Sequence, residues 1–207
     1  MRKILFICLL IVSGAIYGQE VSLKGGIKFN TIHYNYVNEG YKSNLGFQLG
    51  ADLTYPLSEN FRFTAGILFN QKGQATDNSR TRLYYADIPV KIGFNKEVFY
   101  NVFMTLNVGG YFGMGLFGKN VLTEGEKTST DIKWGNESSP KDPKEFRRLD
   151  YGLLAEAKVI FGEKIGISLG YELGLANMIP QTLLVADNYN GYNRSLYLGL
   201  VYVIKSK

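Results

Sequence analysis

The stretch that decides the fold is residues 45–55, LGFQLGADLTY, in which apolar side chains alternate with polar or small ones. Every odd position from Leu45 to Tyr55 carries an apolar side chain, while the even positions carry glycine or polar residues such as Gln48 and Asp52. Successive side chains of a β-strand point to opposite faces, so this alternation is typical of a strand with two different faces. Residues 45–55 therefore predict a strand whose two sides meet different surroundings.

The same period of two occurs in seven further stretches of the chain. They are residues 21–30, 61–70, 84–94, 101–115, 148–161, 165–174 and 195–204. Most have the length of about 9–11 residues that a tilted strand needs to cross a bilayer. After residue 19, no apolar run reaches the roughly 20 residues of a transmembrane helix. The pattern predicts eight strands, with a local break in the pairing at Pro89, because proline has no N–H to donate.

The connections between these stretches are alternately short and long. The short ones are residues 56–60, 95–99 and 162–164, and the long ones are residues 31–43, 71–82, 116–147 and 177–193. Outer-membrane barrels show this asymmetry, with short periplasmic turns and longer extracellular loops. An even number of strands also places both termini on the periplasmic side.

The apolar face of the eight stretches is predicted to meet lipid. A soluble barrel of the lipocalin type also has two faces, but its apolar face points inward. Here that face carries roughly forty residues, which is more bulk than the interior of an eight-stranded barrel can hold. It carries no Asp, Glu, Lys or Arg, and such a charge near the middle of a bilayer would cost about 2–4 kcal/mol.

Aromatic residues mark both ends of the predicted strands. Those near the short turns are Tyr55, Phe61, Phe94, Phe161 and Tyr202, and those near the long loops are Phe29, Phe69, Tyr84, Phe112 and Tyr151. Two such girdles are typical of the two membrane interfaces. The sequence therefore predicts an all-β fold, an eight-stranded antiparallel up-and-down transmembrane β-barrel.

The N-terminal residues predict a secretory signal peptide. Two basic residues at positions 2 and 3 precede an apolar run over residues 4–17, and the small residue Gly18 follows. That order is typical of a cleaved signal, and the run is shorter than the roughly 20 residues of a membrane anchor. We expect residues 1–18 to be removed on export and residues 19–207 to form one outer-membrane β-barrel domain.

Composition excludes several classes of function. The only cysteine, Cys8, lies in the predicted signal peptide, so the exported chain has no thiol for a disulfide, a metal site or a nucleophile. The formal net charge of +5 includes Arg2 and Lys3, and the basic residues are scattered. We therefore expect no nucleic-acid partner. No metal-ligand cluster, phosphate loop or dinucleotide motif suggests a cofactor.

Several motifs, in order along the chain, resemble the PorT-like branch of outer-membrane β-barrel proteins, or porin family. They are LKGGI at 23–27, GADLTYPL at 50–57 with Ser58 after it, GILFNQKG at 66–73, DIPVK at 87–91, GGY at 109–111 and DYGL at 150–153. The resemblance covers nearly all of residues 20–205 and implies a membrane protein of the Gram-negative envelope. Its namesake belongs to a protein-secretion system, so the resemblance also implies a possible accessory role in secretion.

The last predicted strand resembles a sorting signal. Residues 197–204, YLGLVYVI, are similar to the C-terminal assembly signal of outer-membrane barrels, with Tyr202 and Ile204 at the hydrophobic positions. The usual final aromatic residue is replaced by Ile204. The resemblance implies the barrel-assembly machinery as a partner.

The polar face of the predicted strands carries many charges. These are Lys24, Lys28, Asp52, Arg62, Lys72, Asp87, Lys91, Arg148, Glu156, Lys158 and Glu172. Buried charges persist only when they are paired, so we expect a charge network that fills a lumen too narrow to conduct. Asp52 and Arg62, across the first short turn, are candidates for one pair. The alternative is a pathway for ions or small solutes.

Two residues near the long loops are candidate sites. Some lipid-modifying barrels have a histidine here that works with a serine and an acid, and His33 is the only histidine. Ser43 and Asp77 are available, but no spacing connects them to His33, and geometry defines such a site. In the loop 116–147, Trp134 is a candidate for contact with a protein partner, and a flexible solvated loop is the alternative.

The sequence as a whole predicts an integral outer-membrane protein without enzymatic activity. Its extracellular loops would serve surface interaction or an envelope or secretion accessory role. A narrow passive pore and a lipid-modifying enzyme are the alternatives. We expect outer-membrane lipid as a partner, and no catalytic residue, cofactor or metal.

Overall fold

The fold is a single ring of β-strands. The computed structural model describes residues 20–35, 40–122, 128–162, 164–182 and 190–205. In these residues the strands are β1 Glu20–Tyr34, β2 Asn44–Pro56, β3 Phe61–Ala75, β4 Ser79–Phe99, β5 Val102–Leu122, β6 Ser129–Asp131, β7 Glu137–Ser138, β8 Leu149–Phe161, β9 Ile165–Gly174, β10 Gln181–Thr182 and β11 Gly191–Lys205. No helix in the described residues is long and apolar enough to cross a membrane.

The eight long strands close on themselves. Their order is β4-β3-β2-β1-β11-β9-β8-β5, and β4 also pairs with β5, which completes the ring. Every pairing among them is antiparallel, so consecutive long strands are neighbours. The predicted fold class, eight antiparallel strands in an up-and-down barrel, is confirmed. The predicted signal peptide, residues 1–18, lies outside the described residues.

The two faces of the barrel wall differ as the alternation predicts. Outward side chains such as Val108 and Leu200 are 65% and 67% exposed. Inward side chains such as Lys28 and Lys72 are completely buried. A sheet that closes into a ring leaves no unpaired strand edge, which is the condition for a β-structure to stand in hydrocarbon.

Several strands extend beyond their predicted ends. The predicted long loop at 71–82 is wrong, because β3 runs to Ala75 and β4 begins at Ser79. Likewise β5 continues to Leu122, although the alternation ends near residue 115. Alternating hydrophobicity marks contact with lipid on one face. Where a paired strand projects into water, both of its faces can be polar, and the pattern disappears while the pairing continues.

Pro89 interrupts the pairing of β3 with β4. Pairs are formed at Ala65 with Val90 and at Leu68 with Asp87, but not at the two positions between them. The register is the same on both sides of the gap, so the break is local. On its other side Pro89 pairs with Tyr111 of β5. The break that the proline predicts is therefore confined to one edge of β4.

The seam between β1 and β11 brings two backbones close together at Gly26. Gly26 pairs with Gly199, and a Cβ atom at Gly26 would lie within 3.0 Å of the backbone of Leu198 and Gly199. At the neighbouring Gly25 a Cβ atom would meet only ordinary contacts, the first being the side chain of Leu49 at 3.4 Å. Of these two neighbouring glycines, Gly26 is the one that requires the absence of a side chain at the β1–β11 seam.

We expect Gly26→Ala to lower the free energy of unfolding by about 1–3 kcal/mol, because the seam must move apart to admit the methyl group. Gly25→Ala is the matched control and should change it little. The measurement is urea unfolding in detergent micelles, with a heat-dependent gel shift as the test of folding. Equal stability of the two variants would contradict this account of the seam.

Candidate functional site

The candidate site is the lumen, which is lined by the inward side chains of the eight long strands. In the described residues it holds five buried lysines and five buried carboxylates, Lys24, Lys28, Lys72, Lys91, Lys158, Asp52, Asp87, Asp150, Glu156 and Glu172. We call these ten residues the lumen network. Their formal charges cancel, and each lies within 4.0 Å of an opposite charge.

One half of the lumen network is a closed square of charges. Lys24 and Lys91 each contact both Asp52 and Glu156, at distances between nitrogen and oxygen of 3.2 and 3.2 Å for Lys24 and 2.8 and 2.9 Å for Lys91. The hydroxyl of Tyr197 donates to Glu156 Oε2 at 2.9 Å. These residues come from five strands, so the square ties opposite walls of the barrel together.

The other half of the network is centred on Lys72. Its Nζ atom lies 2.8 Å from both Asp87 and Asp150 and 4.0 Å from Glu172, which also contacts Lys28 at 2.7 Å. The side-chain amide of Asn70 donates to Asp87 at 2.6 Å, and that of Asn193 donates to Asp150 at 2.9 Å. The hydroxyl of Tyr111 also donates to Asp150, at 3.3 Å. Lys72 is thus surrounded by acceptors.

Aromatic rings separate and cover the two halves. The ring of Tyr197 lies between Lys24 and Lys28, at 6.0 and 5.7 Å from their Nζ atoms. The ring of Tyr85 lies 5.0 Å from Lys72 Nζ. A cation at this distance from an aromatic ring is attracted by its negative face. The rings therefore fill space and stabilise the lysines together.

An apolar cluster closes the lumen at its long-loop end. Its buried members are Ile32, Tyr34, Leu83, Tyr85, Ile132, Phe146 and Met178, with Tyr41, Trp134 and Ile179 packed against them. We call this cluster the apolar cap. Ile132, Phe146 and Met178 lie beyond the long strands, so loop residues fold inward over the barrel. The hydroxyl of Tyr85 donates to Arg147 O at 3.2 Å, which fastens the loop to β4.

The short-turn end of the lumen has a looser arrangement. Arg62 lies 3.7 Å from Glu20, and Lys158 lies 4.0 Å from the same carboxylate. The predicted pair of Asp52 with Arg62 is wrong, because the register of the β2–β3 hairpin places Arg62 opposite Pro56. Asp52 lies further along β2 and contacts Lys24 and Lys91 instead.

Arg148 and Trp134 lie close together at the long-loop end, and the expectation for Arg148 needs correction. Arg148 does not point into the lumen: its guanidinium donates to the carbonyls of Gly115 and Leu116 at 2.9 and 3.2 Å. The indole ring of Trp134, the predicted centre of a partner contact, packs edge-on against Tyr85 at 5.8 Å. Arg148 covers that ring at 5.5 Å. Trp134 is an internal anchor of the loop.

His33 lies on the outward face of β1, beside Thr31, Tyr41 and Arg194 in a hollow of about 380 Å³. Ser43 and Asp77, the other two residues of the candidate catalytic site, contact residues other than His33. The hydroxyl of Ser43 donates to the carbonyl of Asn30 at 3.4 Å. Asp77 forms an exposed ion pair with Lys42. Within the described residues no group of three His, Cys, Asp or Glu side chains could hold a metal ion.

Asp150 is the central residue that sequence reasoning did not select. It is completely buried and accepts contacts from Lys72, Asn193 and Tyr111. The alternation in residues 148–161 places it on the inward face, which is a usable signal. Its importance comes from the pairing of Gly113 with Asp150, which sets its height in the lumen and is not visible in the sequence.

Residues 18–180 match the family model described as outer membrane protein beta-barrel domain. No curated protein matches the chain. Similar solved structures include Ail, the attachment invasion locus protein of Yersinia pestis, with 15% identity, 89% of this chain and 98% of that chain covered, and a TM-score of 0.45. OprG from Pseudomonas aeruginosa has 10% identity, 90% and 96% coverage, and a TM-score of 0.47. The outer membrane enzyme PagL has 10% identity, 88% and 97% coverage, and a TM-score of 0.46. Resemblance at this level says nothing about function.

We expect Lys72→Met to lower the free energy of unfolding by about 3–5 kcal/mol, because it leaves Asp87 and Asp150 buried without their cation. The matched control is Lys42→Met, which removes a lysine from the exposed pair with Asp77 and should cost less than about 1 kcal/mol. Urea unfolding in micelles measures both. A loss at Lys72 no larger than that at Lys42 would show that the lumen network does not hold the barrel together.

Proposed function

Because the chain belongs to the outer membrane protein beta-barrel domain family, we propose that it is a closed, non-conducting outer-membrane scaffold that presents extracellular loops to a protein partner. It has no enzymatic activity in this proposal, and its resemblance to the PorT-like branch favours an accessory role in the envelope or in secretion. The N-terminal residues direct export and are cleaved, and β11 is the strand that the barrel-assembly machinery recognises.

The proposal rests on the complete burial of charged side chains in the lumen. Lys28, Lys72 and Asp150 have no surface accessible to water, and Lys91 has 1%. A pore wide enough for a file of water molecules would leave accessible surface on the side chains that line it. Eight strands enclose an interior just wide enough for side chains. The lumen network and the apolar cap therefore favour a scaffold over the alternative of a passive pore.

The loops beyond the cap form a single ordered surface. β7 and β10 pair in parallel, with Glu137 opposite Gln181. The backbone N–H of Gln181 donates to the backbone carbonyl of Asn136 at 3.0 Å. The amide of Arg147 donates to Met178 O at 2.8 Å. These bonds connect residues 128–148 with residues 175–182, and we call the two segments the loop platform.

We place the partner contact on the outer side of the loop platform, away from Trp134. A groove of about 370 Å³ there is lined by Asn136, Glu137, Arg147, Tyr151, Asn177 and Gln181. The lining also includes the apolar Leu149 and Ala176. This mixture of amides, one acid, one arginine, one tyrosine and two apolar side chains suits a mainly polar segment of another protein, since interfaces are enriched in Tyr and Arg and have polar rims.

In planar lipid bilayers we expect the folded protein to give no discrete conductance steps. The physical reason is that the ten charges of the lumen network leave no room for a hydrated ion. An open porin inserted under the same conditions is the control for the recording, and the heat-dependent gel shift confirms that the sample is folded. Steady single-channel steps from the folded protein would overturn the scaffold proposal in favour of a pore.

The partner contact is tested by mild crosslinking of intact cells followed by a pull-down. We expect Glu137→Arg combined with Gln181→Arg to lose at least about tenfold of the crosslinked partner, because two large cations enter a groove that already holds Arg147. Lys42→Met, on the separate β3–β4 side of the mouth, is the control and should retain the partner. Recovery of the same partner from both variants would remove the groove as the contact.

A further inference from the structure

A row of basic residues lies on the outward face of β4 and β5, at the extracellular end of the barrel. Arg82 on β4 is directly opposite Lys119 on β5. Arg80 lies two residues further along the same face of β4. Lys119 and Arg80 are exposed, and Arg82 is partly exposed. We call Arg80, Arg82 and Lys119 the basic row.

The basic row stands immediately above a stack of aromatic rings. The next outward pair towards the membrane is Tyr84 with Phe117, whose rings are stacked with centroids 4.5 Å apart. Phe69 stacks on Tyr84 from the other side at 5.9 Å. Aromatic rings collect at the level where acyl chains meet head groups. Two residues of strand span about 7 Å, so the basic row lies at the height of the outer-leaflet head groups.

The three side chains of the basic row form no ion pair with any residue that the structure describes. In the described part of the chain, no carboxylate lies within 4.0 Å of any of the three side chains. Lys119 lies between Arg82 of β4 on one side and Asp131 of β6 on the other, and its contact with Asp131 is longer than an ion pair. Like charges directly opposite each other destabilise a pair of antiparallel strands. Three cations thus face one carboxylate in the described residues, so a further anion between Arg82 and Lys119 would stabilise the arrangement.

The position of the row determines which anion fits. Arginine binds phosphate through two parallel hydrogen bonds, and lysine binds it as a point charge. A phosphate in this place would have the Tyr84 and Phe117 rings directly beneath it, on the lipid side. The ligand is therefore expected to carry a phosphate above and hydrocarbon below.

We propose that Arg80, Arg82 and Lys119 form a binding site for the phosphate of an outer-leaflet lipid, whose hydrocarbon packs on the Tyr84–Phe117 stack. The bound lipid relieves the repulsion between Arg82 and Lys119. It also fixes the barrel at a defined depth and covers the outward side of the β4–β5 hairpin. This site adjoins β6 of the loop platform, but it uses none of the residues that line the groove of the partner contact.

The test compares the folded wild-type protein with Arg82→Gln combined with Lys119→Gln. The probe is lipid A, which carries two phosphates, added to protein in zwitterionic micelles and followed by native mass spectrometry. We expect the double variant to bind lipid A at least about tenfold more weakly, since charge-assisted hydrogen bonds are lost. The charge-conserving double exchange Arg82→Lys with Lys119→Arg should stay close to the wild type.

The control variant is Lys133→Gln combined with Lys141→Gln, which removes the same charge from exposed positions of the loop platform. It should bind lipid A as the wild type does. Equal binding by the Arg82/Lys119 variant and the wild type would overturn the proposal. So would an equal loss in the Lys133/Lys141 variant, because binding would then follow net charge alone.

A second measurement tests the repulsion between Arg82 and Lys119 by urea unfolding. In micelles without lipid A, the Arg82/Lys119 variant should unfold at a higher urea concentration than the wild type, because the opposed cations are gone. With lipid A added, the order should reverse, because a ligand that binds the folded state stabilises it. An unchanged order on adding lipid A would contradict the site. If millimolar inorganic phosphate stabilised the wild type as strongly as lipid A, the site would bind soluble anions and the lipid assignment would be wrong.

Discussion

The cancellation of charge inside a narrow cylinder is the constraint on which the rest of the structure depends. An eight-stranded barrel has just enough room for its inward side chains, and in the described residues the ten members of the lumen network are lysines and carboxylates. Removing an ion from water costs several kcal/mol unless opposite charges and hydrogen bonds replace the water. The square of Lys24, Lys91, Asp52 and Glu156 meets that condition with four contacts. Each of those contacts joins different strands, so the pairing also fixes the cross-section of the ring.

The architecture could be predicted because the membrane imposes a simple rule on the sequence. Along residues 45–55 each position meets either lipid or lumen, so hydrophobicity alternates with the strand period. The alternation stops where the strands leave the lipid. For that reason the long-loop ends of β3, β4 and β5 have sequences like those of loops. Arg80 and Arg82 lie on a regular strand, yet their outward side is polar while the inward side carries Leu83 of the apolar cap, which reverses the alternation seen in the lipid.

The charged positions could be predicted, but their partners could not. Inward residues such as Asp52 and Lys91 follow directly from the alternation. Their contact at 2.8 Å depends on strand register and on the curvature of the ring, which no local pattern specifies. Trp134 shows the same limit: a tryptophan in a long polar loop suggests an exposed side chain, whereas its packing against Tyr85, on a distant strand, is not visible in the sequence. The sequence therefore predicts which face of a strand a residue lies on more readily than which residue it contacts.

The continuity of β4 and β5 has a mechanical consequence. β4 runs from Ser79 to Phe99 and β5 from Val102 to Leu122, and their pairing extends along both strands with register shifts at Tyr84/Tyr85 and Glu97/Phe99. A partner that pulls on the loops would load the hydrogen bonds between these strands lengthwise, so that many of them share the force at once. The buried ion pairs oppose flattening of the tube under the same load. The barrel wall would therefore be stiff along the strands and resist flattening, so that tension on the loops would be transmitted to the membrane.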